Sequence, residues 1–359
     1  MDWTIVAYII AFFFAMNIGA SGTAAAMGPA YGSGAVSSKK TAMLLVAVSA
    51  FLGALAGGEV VKTIGGGIIS ESLINVEIAV IILTGACLTL FIANLIGIPL
   101  STSEVVVGAI VGVGIAFQAL LVNNLLYIIS FWIIVPFVSF FLALAAGVLI
   151  LKAEKKWPHL KGTGKWRKGL AILLILAGMM EAFAAGMNNV ANAVGPLVGA
   201  GLISIPSAVL IGGFFLAAGC VLLGGKVLET NGKKITRLSL LQGTAVSTTG
   251  GTLVIIASLL GIPVPLTQVT TSAIVGIGTA EHGFRLWQKS ILKQIANVWI
   301  LSPIVALVVS YSLMMLFIHR DIYTFIIIVS VFLATIGSIH LMQTIKKEKR
   351  SFHDEGSGI

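Results

Sequence analysis

Apolar residues fall along this chain in long blocks separated by short polar or glycine-rich stretches. Blocks near 4–20, 41–57, 75–96, 104–121 and 125–151 approach or exceed the length needed to cross about 30 Å of hydrocarbon as a helix. After a polar stretch at 152–168 the series recurs at 169–189, 205–223, 244–260, 269–281 and 291–318, with one further block at 322–344. The pattern predicts an all-α polytopic membrane protein of about 11 membrane segments. Five segments in each half is an odd number, so the second half must enter the membrane from the opposite face. The expected organisation is a first inverted repeat (1–151), a basic cytoplasmic linker (152–168), a second inverted repeat (169–320), an extra C-terminal membrane helix (321–345) and a basic cytoplasmic tail (346–359).

Two phrases repeat between the halves. GASGTAAAMGPAYGSG at 19–34 aligns with GMNNVANAVGPLVGAG at 186–201, placing Gly28-Pro29 on Gly195-Pro196 at an offset of 167 residues. GIPLSTSEVVVGAIVGVGIA at 97–116 aligns without gaps on GIPVPLTQVTTSAIVGIGTA at 261–280. Glycine and proline inside an apolar run expose backbone groups that hydrocarbon cannot satisfy, and such backbone survives beside a polar cavity. The first phrase therefore predicts broken helices or re-entrant hairpins at a central site. If the helix resumes after Ser21 and after Asn188, two free helix N-termini face the repeat interface and suit an anion. The plainer alternative is close helix packing through small residues, which serves for Ala24, Ala25, Gly32 and Gly34. Packing explains less of Asn188, Asn189 and Asn192, three amides within one short stretch of a membrane segment.

The second phrase carries hydroxyls where a helix starts. Pro99 precedes Ser101, Thr102, Ser103 and Glu104; Pro263 and Pro265 precede Thr267, Gln268, Thr270, Thr271 and Ser272. One hydroxyl suffices for a helix cap. The surplus donors are candidates to surround a tetrahedral oxyanion with neutral hydrogen bonds.

Composition agrees with the pattern. The chain is 58% hydrophobic and only 10% charged, with a mean hydropathy of +1.07, more apolar surface than a water-soluble globule can hide. Its net charge of +9 would suggest nucleic acid in a soluble protein. Here the basic residues lie between apolar runs and in the tail, where topology explains them, and nucleic acid is not an expected partner. With the N-terminus outside, Lys39-Lys40, the 152–168 stretch, the 226–237 and 285–293 loops and the 346–350 tail are all cytoplasmic; Lys62 and Arg320 are the exceptions. The first residues lack the basic leader of a secretory signal, so the first segment is expected to be retained in the cell membrane. Cys87 and Cys220 read as small buried hydrophobes, with neither metal nor disulfide implied.

GMNNVANAVGP resembles the G-A-N-D-x-A-N-A-x-G-P signature of the inorganic phosphate transporter (PiT) family. PLSTSEVVVGAIVG at 99–112 is similar to that family's P-x-S-T-T-H-x-x-x-G-A-x-x-G element. The resemblance runs through both halves. It implies an ion-coupled oxyanion importer in which Asn188 and Asn192 take the signature asparagine positions and Ser101, Thr102 and Ser103 those of the hydroxyls. Ser21, Asn189, Thr267, Gln268, Thr270 and Thr271 complete the candidate substrate site.

This chain departs from the signature at its acids. The signature aspartate is Asn189 in the second half and Gly22 in the first, while Glu104 replaces a histidine. Phosphate near neutral pH keeps a proton and can donate a hydrogen bond to a carboxylate; sulfate only accepts. Amides and hydroxyls without those aspartates suit sulfate, and the pattern resembles the sulfate permease (CysP-type) branch of the family. Loss of the aspartates puts in doubt the sodium sites that the resemblance implies, so the coupling ion is expected to be H+, with Na+ as the alternative. No cofactor is implied.

Coupling then falls to other acids. Glu181 lies inside an apolar span, five residues before Gly186, and its first-half counterpart is Phe14. An intramembrane carboxylate marks an ion or proton path by default; the plain alternative is a Glu close enough to the surface to be solvated. Glu104 is the second candidate, although a first-turn Glu also complements a helix dipole. GGEVVKT at 57–63 matches GGKVLET at 224–230 with signs exchanged, so that Glu59 and Lys62 stand over Lys226 and Glu229. A spacing of three predicts local salt bridges, with mirrored gate pairs as the functional alternative.

The function expected is secondary active import of an oxyanion, most simply sulfate, by cation symport with alternating access. The alternatives are a sodium-coupled phosphate transporter, a preference for thiosulfate, selenate or molybdate, and, from another class, an oxyanion channel or the membrane subunit of an ATP-driven permease. No phosphate-binding G-x-x-x-x-G-K-[ST] loop occurs. The histidines lie in loops, the tail or near span ends, and no enzyme is expected. The partners are the anion and the lipid bilayer, with a homodimer as an open alternative.

Overall fold

The computed structural model describes residues 2–95, 100–225, 228–229, 238–283 and 290–331. Helices account for nearly all of it. They are α1 (Trp3–Gly32), α2 (Lys39–Leu55), α3 (Gly58–Gly66), α4 (Val76–Leu95), α5 (Thr102–Ala116), α6 (Val122–Lys156), α7 (Trp166–Gly199), α8 (Ile205–Leu222), α9 (Leu240–Leu259), α10 (Leu266–His282) and α11 (Ser290–Phe317), followed by the short helix α12 (Ile322–Val331). Seven of the described helices are long and apolar enough to cross a bilayer. They become eight if α2 and α3, bent by 66° at a short break, count as one span. This is an all-α polytopic membrane fold. The remaining expected segments are shorter helices, α5 and α10 among them, that begin at polar breaks.

Two compact units divide the chain, Met1–Ser310 and Tyr311–Ile359. In the second, Asp321 caps α12 by accepting the Tyr323 and Thr324 amides at 3.1 Å and the Thr324 hydroxyl at 2.5 Å. The rest of the expected C-terminal helix and the tail lie outside the described residues, as do Gly97, Pro99, Lys226 and most of the 226–237 and 285–289 loops.

In the first unit the halves exchange helices. A Cβ added to Gly19 of α1 would stand 1.9 Å from the Leu216 carbonyl oxygen of α8, and one on Gly186 of α7 would stand 1.9 Å from the Ala50 carbonyl oxygen of α2. A Cβ on Gly53 of α2 would stand 1.9 Å from the Phe183 carbonyl oxygen, and one on Gly219 of α8 2.0 Å from that of Met16. Gly19 and Gly186, and Met16 and Phe183, are repeat partners. The same close contact is therefore made twice, each time between a first-half and a second-half helix.

This packing corrects one expectation. α1 and α7 are not broken at their glycines: each runs on past its asparagine or serine with a proline inside, Pro29 or Pro196, near its C-terminal end. The Ser33 amide bonds to the Pro29 carbonyl and the Ala200 amide to the Pro196 carbonyl, each at 3.1 Å, and Gly34 (φ 72°) and Gly201 (φ 68°) turn the chain out of the helix. Each proline forfeits a single helix hydrogen bond, to the carbonyl four residues before it, and the helix ends within a turn of it. The glycines serve backbone approach, and no helix N-terminus forms at Ser21 or Asn188. The true breaks are those before α5 and α10, where non-helical backbone at Gly261–Pro265 precedes α10.

Candidate functional site

The amides of α7 meet the first turn of α5. Thr102 Oγ1 donates to Asn189 Oδ1 at 3.1 Å, and Asn192 Nδ2 lies 3.2 Å from each of Thr102 Oγ1, Ser103 Oγ and Asn189 Oδ1. Asn188, Asn192 and Ser103 are fully buried, and Asn189 and Thr102 nearly so. Asn192 Oδ1 has no partner, and a buried orphan acceptor marks a network one group short. Ser101 stands at the N-cap of α5 without making a capping bond, and the first intrahelical bond there is from the Val105 amide to the Ser101 carbonyl. The amides of the turn before it, the Ser101 hydroxyl and Asn189 Nδ2 are thus donors without described partners, at the positive end of a helix dipole.

Asn188 does different work. Its Nδ2 donates to Ser258 Oγ at 2.8 Å and to the Ile262 carbonyl at 3.0 Å, while its Oδ1 accepts the Val264 amide at 3.1 Å and the Ser103 hydroxyl at 3.4 Å. One side chain thereby satisfies the extended backbone ahead of α10 and ties it to α5. The two helix starts converge on one stretch of α7.

Asn189 faces a second neighbourhood. With Gly22, Ile18, Ala185, Ala50, Leu216 and Cys220 it lines a cavity of about 10 Å³, room for roughly one water. Gly22 and Asn189 are repeat partners, as are Ile18 and Ala185. A Cβ on Gly22 would meet nothing within 4 Å, so this glycine leaves open space where the close-packed Gly19 does not.

The other expected residues separate from this cluster. Ser21 donates to the Ile18 carbonyl of its own helix at 3.0 Å, and Thr271 to the Thr267 carbonyl at 2.6 Å; both are half-buried, as is Thr267, and the hydroxyls of Ser21 and Thr271 are spent locally, as helix hydroxyls commonly are. Gln268 donates to Glu104, which also accepts from Ser302. Thr270 donates to Glu181 at 2.6 Å. Glu181 is fully buried, so the reading that places it in solvent at the cytoplasmic surface does not hold.

The charged pairs also rearrange. Lys62 bonds Glu59 at 2.6 Å with both side chains more than half exposed, whereas Glu229 pairs with Lys39 of α2 at 2.9 Å. A cross-half bridge thus stands where a local pair with Lys226 was expected; Lys226 itself lies outside the described residues. Ser258, Ser302 and Ser247 were missed from the sequence. Ser258 and Ser302 stand alone among apolar neighbours, whereas Ser247 opens a Ser-Thr-Thr run; intramembrane polarity is the one signal that could have found them.

The chain matches the phosphate transporter family over residues 18–310. A Bacillus subtilis protein named sulfate permease CysP is 53% identical over 99% of both chains. A putative phosphate permease of Helicobacter pylori is 31% identical over 78% of this chain and 69% of its own. A solved structure named as the sodium-dependent phosphate transporter superposes with a TM-score of 0.74 at 27% identity, covering 87% of this chain and 98% of that one. With nearly all of the first unit inside the matched region and the signature residues gathered at one site, the chain belongs to the phosphate transporter family.

Proposed function

We propose that this anion transporter imports sulfate across the cell membrane by proton symport, alternating between faces around a site enclosed by its two oppositely oriented halves. One observation carries the reading: Gly22 and Asn189, the two places where the family signature has a carboxylate, line the same cavity, and neither bears charge. Asn189 joins that cavity to the hydroxyls of α5. A fixed negative charge there would repel a dianion in a low-dielectric pocket, and sulfate has no proton to offer it. Ser101, Thr102, Ser103, Asn189 and Asn192 bind the anion, and Asn188 positions the two helix starts around it. The name of the relative from Bacillus subtilis supports sulfate as the substrate.

Proton coupling is assigned to the buried carboxylates, of which Glu181 and Glu104 are the candidates. The N-terminus lies outside and the C-terminus in the cytoplasm. A second reading, sodium-coupled phosphate import, is favoured by the name of the superposed structure and by Glu104, a buried acid adjacent to the hydroxyl triplet.

Labelled sulfate uptake into proteoliposomes under imposed pH or sodium gradients tests this. Concentration of sulfate driven by protons and not displaced by phosphate is expected. Sodium-driven uptake displaced by phosphate would install the second reading, and equilibration without concentration would make the protein a channel.

A further inference from the structure

We propose that Glu181, Ser247 and Thr270 form a single proton-binding site that drives transport, separate from the anion site, and that Glu104 is not part of it. The inference rests on the symport reading above and assigns its coupling step to one cluster of atoms.

Glu181 sits in the middle of α7 with no exposed surface. Its Oε1 accepts the Thr270 hydroxyl at 2.6 Å. Its Oε2 has no partner, and neither does Ser247 Oγ, although the Ser247 side chain is among the groups acting on this carboxyl. Ser247 Oγ therefore lies beside this carboxyl without a hydrogen bond to either of its oxygens. A proton on Oε2 turns an acceptor-only oxygen into a donor and lets a small side-chain rotation satisfy both. Gly250 leaves the space: a Cβ there would lie 3.5 Å from Glu181 Oε1 and 3.4 Å from Thr270 Oγ1. The cluster presents one carboxyl and two hydroxyls between helices whose carbonyls are engaged in their own ladders, which is too few oxygens to replace a metal ion's hydration shell. A proton needs one.

No charge compensates Glu181 among the described residues. α9 has no titratable residue; α10 has Glu281 and His282 at its far end; α1 has Tyr8 and Tyr31; α2 has Lys39 and Lys40 in its first turn; α7 itself has Arg167 and Lys168 in its first turn. A lone carboxylate in an apolar interior is costly, and binding a proton removes the cost. Nor does the fold require an acid here. The repeat partners of Glu181, Ser247 and Thr270 are Phe14, Leu83 and Val106, all apolar and fully buried. The same packing problem is solved in the other half without a polar atom.

Glu104 is buried as well but contrasts in its hydrogen bonds. Both its oxygens are engaged, by Gln268 and by Ser302. Glu181 is also placed to communicate. It shares α7 with Asn188, about two turns away, and Thr270 lies on α10, whose leading backbone Asn188 holds, so the Thr270–Glu181 bond fastens α7, which carries the anion-site amides, to α10. Proton uptake and release at Oε2 alters that fastening while leaving the anion contacts in place.

The test compares two readouts in proteoliposomes: sulfate exchange at equal pH on both sides, and sulfate accumulation driven by a pH gradient. Glu181→Gln, a mimic of the protonated acid, is expected to lose the ratio of driven accumulation to exchange entirely, and to lose sulfate-coupled proton uptake reported by an internal pH dye. Glu104→Gln is expected to keep that ratio, whatever its absolute rate. Driven accumulation in Glu181→Gln, or its selective loss in Glu104→Gln, overturns the proposal. Should Glu181→Gln fail to fold, Ser247→Ala retains the carboxyl and is expected to shift the pH profile of uptake; an unshifted profile overturns the proposal equally. Wild-type protein that exchanges no sulfate would instead overturn the transport reading on which this one stands.

Discussion

Glu104 accepts a hydrogen bond from Gln268, the residue that occupies its own place in the other copy of the motif, 164 positions along the chain. Two equivalent residues touch each other only where the relation between the copies maps a neighbourhood onto itself, so this pair marks the centre of the repeat interface. The first turns of α5 and α10 meet there.

Replacing Gln268 with Ala removes one of the two groups that satisfy Glu104 in the interior. A loss of about 1–3 kcal/mol is expected, read as a lowered midpoint in a thermal-shift assay of detergent-solubilised protein. Gln268→Glu should lower it further, by setting two acids face to face. An unchanged midpoint in both would mean that the pair is not formed.

Ser101 and Asn188 should behave differently when each is changed to Ala. The Ser101 hydroxyl has no partner among the described residues, so its loss is expected to spare stability while lowering sulfate uptake by about tenfold or more, the cost of one hydrogen bond to a charged ligand. Asn188 holds Ser258, Ile262, Val264 and Ser103 together, and its removal should lower the thermal midpoint as well as uptake. Equal midpoints for the two variants would show that Asn188 is no cross-link.

Asn189→Asp restores the acid of the family signature beside Gly22. The expected outcome is a raised KM for sulfate, by about tenfold or more if one unit of charge acts within the pocket, together with a relative gain for phosphate. Competition between the two anions measures it. An unaltered preference would remove charge from the account of selectivity.

Glycine positions provide a check on the architecture itself. Gly186→Ala and Gly53→Ala each drive a Cβ to 1.9 Å from a carbonyl oxygen of a neighbouring helix and should abolish folded expression. Gly22→Ala has open space and should fold. Size-exclusion profiles of the three variants distinguish these cases.

The exposed Glu59–Lys62 pair is expected to contribute no more than about 0.5 kcal/mol, so alanine at either position should leave the thermal midpoint nearly unchanged. The Lys39–Glu229 bridge joins residues of different halves. If it acts as a gate, Glu229→Gln will change the rate of uptake more than the midpoint, and charge reversal of both partners together will restore it.

Hydropathy and repetition, read along the chain, determined the membrane class, the doubled organisation and which hydroxyl, amide and acid residues are candidates for the site. Each of these is written into local composition: an apolar block too long for a globule, a motif met twice, a polar side chain where hydrocarbon is expected. Tertiary structure alone decided that the glycine phrases of α1 and α7 are contact surfaces rather than breaks, because whether a helix bends depends on what its neighbours press against it. It decided that Asn188 fastens backbone while Asn189 keeps a free donor, though the two are adjacent and chemically identical, since a helix turns them toward different neighbours. It also decided that Glu104 finds Gln268 and Glu229 finds Lys39. Such partners are set by the register of helices brought together from distant parts of the chain, and no periodicity within a single helix records that register.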